Sequence, residues 1–312
     1  MKKIACMFPG QGSQKVGMGK QLYEAYEEVR ELYKRANEVL DKDITSLMFE
    51  GPQEQLTETE NAQPALLLSS VAAYTLFEKE KITPSMVVGH SLGEYSALVV
   101  AGSIPVDEAL PLVQTRGRLM EKAYPKGKGT MAAVLGMNED EIQPIVEQID
   151  DEIVDVANLN CPGQIVISGS KAGVDKASEL LKEAGARRVL PLNVSGPFHS
   201  RLMKEANEDF AKYLDETTIS NATIPVYANV TAKPVKQKEE IKQLLLEQLY
   251  SPVRFEQSIR NMIDQGIEAF VEVGTGSVLS GLVRKIDRSV KTFSVQDEKT
   301  FEKFLSWYKE DA

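Results

Sequence analysis

Histidine, cysteine and tryptophan are almost missing from this chain, whose 312 residues include two, two and one of them. The cysteines, Cys6 and Cys161, form no CxxC pair, and with only His90 and His199 they complete no Cys/His zinc cluster. Both are expected to be reduced and buried, as free cysteines usually are. Long apolar runs are also lacking. The best, Ala62 to Phe77, is interrupted by polar residues and is shorter than the ~20 residues of a membrane span. The amino-terminal stretch Met1-Lys2-Lys3-Ile4-Ala5-Cys6 has two lysines but no signal-like apolar segment before Pro9-Gly10, so a cytoplasmic protein is expected, with no membrane partner. Positive charge is in deficit. Thirty-six Lys and Arg face 46 Asp and Glu, net −10, which speaks against nucleic-acid binding and requires any acidic partner to find a local basic patch.

What is present reads as an ordinary folded α/β chain, 42% hydrophobic and 26% charged, without repeats or low-complexity tracts. At this length it is either one large unit or a core with an insertion. A short buried strand is expected over Lys3 to Phe8. An amphipathic helix follows through Met18, Leu22, Tyr26, Val29, Tyr33, Ala36 and Leu40. An apolar helix spans Ala62 to Glu80, a strand Ser85 to Val88, a helix reaches about Ala101, and another runs Val106 to Ala123, with Pro111 assigned to its first turn. Past the flexible Pro125-Lys126-Gly127-Lys128-Gly129, the order is strand Thr130 to Leu135, helix Glu139 to Ile149, strand Ile153 to Leu159, strand Gln164 to Ser168, helix Ala172 to Ala184, strand Arg188 to Val194. That is βαββαβ, the ferredoxin-like arrangement. It predicts a subdomain over 127–195 inserted into a core formed by 1–126 and 196–312. The core resumes with strands at Ile224 to Val230 and Ala269 to Val273, and ends in a helix near Lys299 to Tyr308.

Gly89-His90-Ser91-Leu92-Gly93 is a GxSxG between an apolar strand and a helix, the setting of a nucleophile elbow. There the glycines clear space for a sharp turn, and the helix N-terminus favours developing negative charge. Serine at neutral pH needs a base. His90 adjoins the serine and its side chain should point away from it, so His199, in the loop Gly196-Pro197-Phe198-His199-Ser200, is the candidate. A third segment, Phe8-Pro9-Gly10-Gln11-Gly12-Ser13-Gln14, is either an ordinary strand-to-helix turn or one that presents backbone N–H groups to an oxyanion. It lacks the spacing and lysine of a phosphate-binding loop.

Together these segments resemble the malonyl-CoA:acyl carrier protein transacylase family of fatty acid synthesis. The likeness runs from Phe8-Pro9-Gly10-Gln11-Gly12-Ser13-Gln14 through Gly89-His90-Ser91-Leu92-Gly93-Glu94-Tyr95 to Val271-Glu272-Val273-Gly274. Gln114-Thr115-Arg116-Gly117, Asn158-Leu159-Asn160-Cys161-Pro162-Gly163-Gln164 and Gln248-Leu249-Tyr250-Ser251-Pro252-Val253 fall in order between them. The resemblance implies an α/β-hydrolase-like core with a parallel sheet and a ferredoxin-like insertion. It implies Ser91 as nucleophile, His199 as base and acid, the Gln248 carbonyl orienting that histidine, and the Gln11 and Leu92 amides as oxyanion hole. It also implies Arg116 on the malonyl carboxylate, His90 and Asn160 lining the site, and Phe198 filling the space an α-methyl group would need. Malonyl-CoA and acyl carrier protein would be substrate and transient partner, with no metal or other cofactor, coenzyme A arriving only as the substrate thioester.

Two rival readings stay open at this level. A thioesterase or other serine hydrolase on the same core needs an acid between serine and histidine in chain order, and Asp150, Asp151, Asp155 and Asp175 lie there. A non-catalytic carrier-binding module would keep the fold alone. Candidate carrier contacts, by charge, are Arg187, Arg188, Arg284, Lys285 and Arg288.

Overall fold

The chain opens with β1 (Ile4–Phe8), whose five residues are all buried. A strand apolar on both faces belongs in a parallel sheet covered on both sides. Four short helices follow, α1 (Lys20–Ala25), α2 (Glu27–Leu40), α3 (Ile44–Glu50) and α4 (Gln53–Thr57), and then the long buried α5 (Thr59–Lys79). Next come β2 (Met86–Gly89), α6 (Gly93–Val100) and α7 (Val106–Lys122). The structure is a computed structural model that describes residues 2–310. Met1, Asp311 and Ala312, at the ends of the expected core, lie outside the described residues.

The middle of the chain forms a sheet of its own: β3 (Gly129–Leu135), α8 (Glu139–Glu147), β4 (Val154–Cys161), β5 (Gln164–Ser170), α9 (Lys171–Glu183) and β6 (Arg188–Pro191). Its strands are antiparallel in the order β4-β5-β3-β6, the ferredoxin-like arrangement expected from the element order. It has a separate core in which Ile142 and Leu181 of the two helices pack on Val134 and Ile167 of the strands. The chain then returns through α10 (Glu205–Glu216), β7 (Val226–Tyr227), β8 (Pro234–Val235), α11 (Lys238–Gln248) and α12 (Phe255–Asp264). It closes with β9 (Ala269–Val273), α13 (Val278–Ile286), β10 (Lys291–Val295) and α14 (Glu298–Lys309).

The large sheet runs β10-β9-β1-β2-β7-β8, parallel except for β8. β1 lies in the middle, with β2 on one side and β9 on the other. The carboxyl ends of such central strands are where an open α/β sheet carries its site. One strand ties the small sheet to the core by backbone hydrogen bonds. β4 bridges Val253 of the core at Asn158, with Leu159 N–H donating to Val253 O at 2.9 Å and Val253 N–H to Ala157 O at 2.8 Å.

Several expectations need correction. The helix predicted from Met18 to Leu40 is two helices, broken at Tyr26, whose backbone is extended (φ −125°, ψ 129°). Pro111 is the sixth residue of α7, beyond the first turn, and α7 tolerates the missing N–H there. The strand expected over Ile224 to Val230 pairs with β2 only at Val226 and Tyr227, and the chain beyond it leaves the sheet to set Asn229 against Gly89 and Ser91. The strand expected to Val194 stops at Pro191, and the loop after it bends toward His199.

At the site end, the turn after β2 is packed backbone against backbone. A Cβ built on Gly89 would lie 1.8 Å from Gly93 C, and one on Gly93 would lie 2.0 Å from Phe8 O. Backbone cannot retreat as a side-chain tip does, so Gly93→Ala is expected to cost ~3 kcal/mol, the upper end for overpacking. A denaturant midpoint within error of the parent would refute that.

Candidate active site

The turn between β2 and α6 places Ser91 at φ 51°, a left-handed conformation that a non-glycine residue holds only under constraint. The constraint is Asn229. Its Oδ1 accepts from the Ser91 amide at 2.8 Å, and its Nδ2 donates to Gly89 O at 2.6 Å, so one side chain clamps both ends of the turn. Ser91 Oγ, raised above the sheet, lies 2.8 Å from His199 Nε2. His199 is itself at φ 58°, and its Nδ1 lies 2.9 Å from Gln248 O. A carbonyl only accepts, so Nδ1 carries the proton and Nε2 is free to accept from the serine. Burial, then the nearby charge of Arg116, hold the His199 pKa down to about 3 against its hydrogen bond to Gln248. The imidazole is therefore neutral, as a base must be.

Arg116, on α7, is 1% exposed, yet its guanidinium reaches the elbow serine: Nη2 donates to Ser91 Oγ at 3.2 Å. Nη2 also donates to Gln248 Oε1 and Nη1 to Gln63 Oε1, each at 2.9 Å. Nε has no partner among the described residues. Gln248 thus serves twice, its carbonyl facing His199 and its side chain facing Arg116. Its Nε2 donates onward to Glu94 Oε2 at 2.7 Å and to Ser91 O at 3.0 Å.

Beside this cluster opens a cleft of about 460 Å³ whose walls include Gln11, His90, Ser91, Asn160, Phe198 and His199. Leu92, Gln248 and Arg116 are buried and are not part of its lining. Among the described residues the amides of Gln11 and Leu92 meet no acceptor. Gly10 presses against the elbow, where a Cβ would be 2.4 Å from His90 O, so the loop carrying Gln11 lies against the turn carrying Leu92. His90 turns away from Ser91, and its Nε2 lies 2.8 Å from Asn160 Oδ1 on β4, across the cleft. Burial lowers its pKa. None of the four aspartates open to a hydrolase triad reaches His199. Asp155 pairs with Arg201, Asp151 with Lys176 and Asp175 with Lys171, while Asp150 lines a separate groove beside Asp151.

The acyl transferase domain family matches residues 6–303. A malonyl CoA-acyl carrier protein transacylase of Bacillus subtilis (strain 168) is 51% identical over all of this chain and 99% of its own. The chain belongs to that family. Among solved structures, an acyl carrier protein S-malonyltransferase of Vibrio cholerae O1 biovar eltor superposes with a TM-score of 0.95 at 42% identity, covering 97% of this chain and 100% of the other. A malonyl-transacylase solved in complex with a type II PKS acyl-carrier protein gives 0.95 at 39% identity, over 98% and 99%.

Four members of the cluster were not singled out from sequence: Asn229, Glu94, Gln63 and Thr59. Thr59 Oγ1 accepts from Gln11 Nε2 at 3.2 Å and lies 3.2 Å from Ser195 Oγ, tying the loop after β1 to the segment before His199. A faint signal existed for two of them. Asn229 follows the carboxyl end of a core strand, and Gln63 is a long polar side chain near the start of the apolar stretch Ala62 to Phe77. Among the described residues no helix is long and apolar enough to cross a membrane.

An imidazole whose folded pKa lies below its unfolded 6.5 contributes stability that is present above pH 6.5 and lost as pH falls toward about 3. NMR of the ring nitrogens is expected to find His199 neutral and protonated on Nδ1 at pH 5. A titration centred near 6.5 would refute the desolvated, Arg116-facing environment.

Proposed function

We propose that this protein transfers a malonyl group from malonyl-CoA to the phosphopantetheine thiol of acyl carrier protein through a malonyl ester on Ser91. The observation that carries the proposal is the buried Arg116 guanidinium 3.2 Å from Ser91 Oγ. A fixed cation beside a nucleophile selects an acyl group that bears its own negative charge, and a planar guanidinium suits a carboxylate better than an ammonium would. The names and full-length identity of the relatives support the same substrate and partner.

In the first half-reaction Ser91 Oγ attacks the thioester carbonyl as His199 Nε2 takes its proton. The tetrahedral oxyanion is stabilised by the amides of Gln11 and Leu92, donors of a kind whose loss costs about 10²-fold in rate. The C–S bond then breaks and His199 returns the proton to the leaving CoA thiolate. In the second half the carrier thiol gives its proton to His199 and attacks the ester carbonyl, the C–Oγ bond breaks, and His199 returns the proton to Ser91 Oγ. The Gln248 carbonyl orients His199 and supplies no full charge, so the imidazolium of each transition state is stabilised by a dipole. Phe198 crowds the space beside the acyl α-carbon, and His90 and Asn160 border the path of the pantetheine arm.

We further take residues 127–195 as a subdomain whose sheet forms one wall of the cleft, and residues 1–126 with 196–312 as the catalytic core. The reaction as written uses no metal or bound cofactor and takes place in the cytoplasm. Arg284, Lys285 and Arg288, which line one shallow groove at α13, and Arg187 with Arg188 at the start of β6, are candidate contacts for the acidic carrier.

The deciding experiment is intact-protein mass spectrometry after brief exposure to malonyl-CoA, with carrier added second. A malonyl adduct that transfers to the carrier thiol, and is absent from Ser91→Ala, is expected. An adduct cleared by water without preference for carrier would indicate a thioesterase, and no adduct with binding intact a non-catalytic module. Arg116→Ala is expected to lose malonyl transfer at least about a hundredfold more than acetyl transfer, as for an unpaired charged group. Equal losses on the two substrates would remove the carboxylate role.

A further inference from the structure

Glu94 is a buried carboxylate to which the transfer chemistry assigns no part. It stands on the first turn of α6, 3% exposed, and one oxygen, Oε2, accepts both from Gln248 Nε2 at 2.7 Å and from the Asn229 amide at 3.1 Å. Gln248 Oε1 in turn accepts from Arg116 Nη2. Cation, amide and carboxylate therefore form a row, with the amide oxygen toward the cation and its N–H toward the anion.

Every group hydrogen-bonded to the guanidinium among the described residues is neutral, namely Gln63, Gln248 and the Ser91 hydroxyl, and the Tyr95 ring centroid lies 5.2 Å from its carbon. Of the ionisable groups that act on its charge, Tyr95 is kept protonated by burial, which leaves Glu94. A buried cation with no counter-charge is destabilising, whereas a carboxylate in direct contact would neutralise it and compete with the substrate. A carboxylate one amide away avoids both. Burial pushes the Glu94 carboxyl up to about 7, partly opposed by its hydrogen bonds and by Arg116, so it is ionised in mildly alkaline solution.

We propose that Glu94 is the counter-ion that sets how strongly Arg116 attracts an acyl carboxylate, balancing the guanidinium through Gln248 and leaving the direct contacts to the substrate. Glu94 touches no reacting atom and acts through Gln248 and Arg116, as a positioning and specificity residue. This rests on the malonyl-transfer reading above.

Glu94→Gln tests it, because an amide oxygen can take both bonds of Oε2 while the charge is lost. Steady-state kinetics of the full chain at pH 8, with malonyl-CoA and acetyl-CoA as alternative donors, give the readout. Without the anion the preference for malonyl over acetyl is expected to rise about tenfold, mostly as a lower malonyl-CoA KM. The apparent Tm is expected to fall and to be regained on malonyl loading. An unchanged preference, with the two substrates affected alike, would show a scaffold role only and overturn the proposal. Gln63→Glu carries the test should Glu94→Gln not fold. It sets a carboxylate directly on Nη1 and is expected to lower malonyl transfer about tenfold more than acetyl transfer, and parallel losses would equally overturn it. Malonyl labelling of the parent Ser91 is measured alongside. If the parent is not labelled, the transfer reading itself fails, and if it is labelled while the variants shift no preference, only the role of Glu94 does.

Discussion

The left-handed turn at Ser91 depends on one asparagine. Asn229 joins Gly89 O to the Ser91 amide, and without that clamp a serine at φ 51° would relax toward ordinary backbone, releasing on the order of 1–3 kcal/mol of stored strain. The turn sets where Oγ points, which amides face outward and where α6 begins. The close contacts among Gly89, Gly93 and Phe8 make the turn rigid from below, and Asn229 makes it rigid from the side. Strain is held here by Phe8 of β1, Gly89 of β2 and Asn229 just past β7, so the large sheet has to be assembled for Ser91 to keep this conformation.

The second constraint is electrostatic. Arg116 and His199 share one dry region, and each affects the other: the guanidinium helps keep the imidazole neutral, while both border the same hydroxyl. A serine–histidine pair with an adjacent carboxylate would weaken the appeal of the site to an anionic acyl group. Orienting the histidine by the Gln248 carbonyl avoids placing a full negative charge beside Ser91 Oγ. Gln248 is the hinge of this arrangement, since its main chain addresses the base and its side chain the cation.

The two sheets have different tasks. The large parallel sheet gathers Gln11, Ser91 and Asn229 at its carboxyl ends, and the small sheet contributes Asn160 to the opposite wall. Because β4 bonds to Val253 of the core, that wall is fixed to the catalytic side by backbone hydrogen bonds as well as by packing. The His90–Asn160 contact crosses the same divide. A cleft between two packed bodies can hold a long, flexible arm while the chemistry stays at its floor.

Much of this was legible in the sequence because it is local. The elbow is five consecutive residues with an obligatory strand before and helix after, and the βαββαβ order follows from periodicities inside 127–195. The scarcity of histidine reduced the search for a base to His90 and His199, and His90, next to Ser91 in the chain, points its ring away toward Asn160. Arg116 is different. On its helix it looks like any solvated arginine, and from this sequence only family resemblance suggested otherwise. Its burial, and the roles of Asn229, Glu94, Gln63 and the side chain of Gln248, were decided by tertiary structure alone. These residues lie 19 to 157 positions from their partners, and a hydrogen bond between distant residues leaves no periodic trace in the chain. The sequence by itself determined which groups could do chemistry. The fold decided which of them are dry, which carry charge, and which face each other.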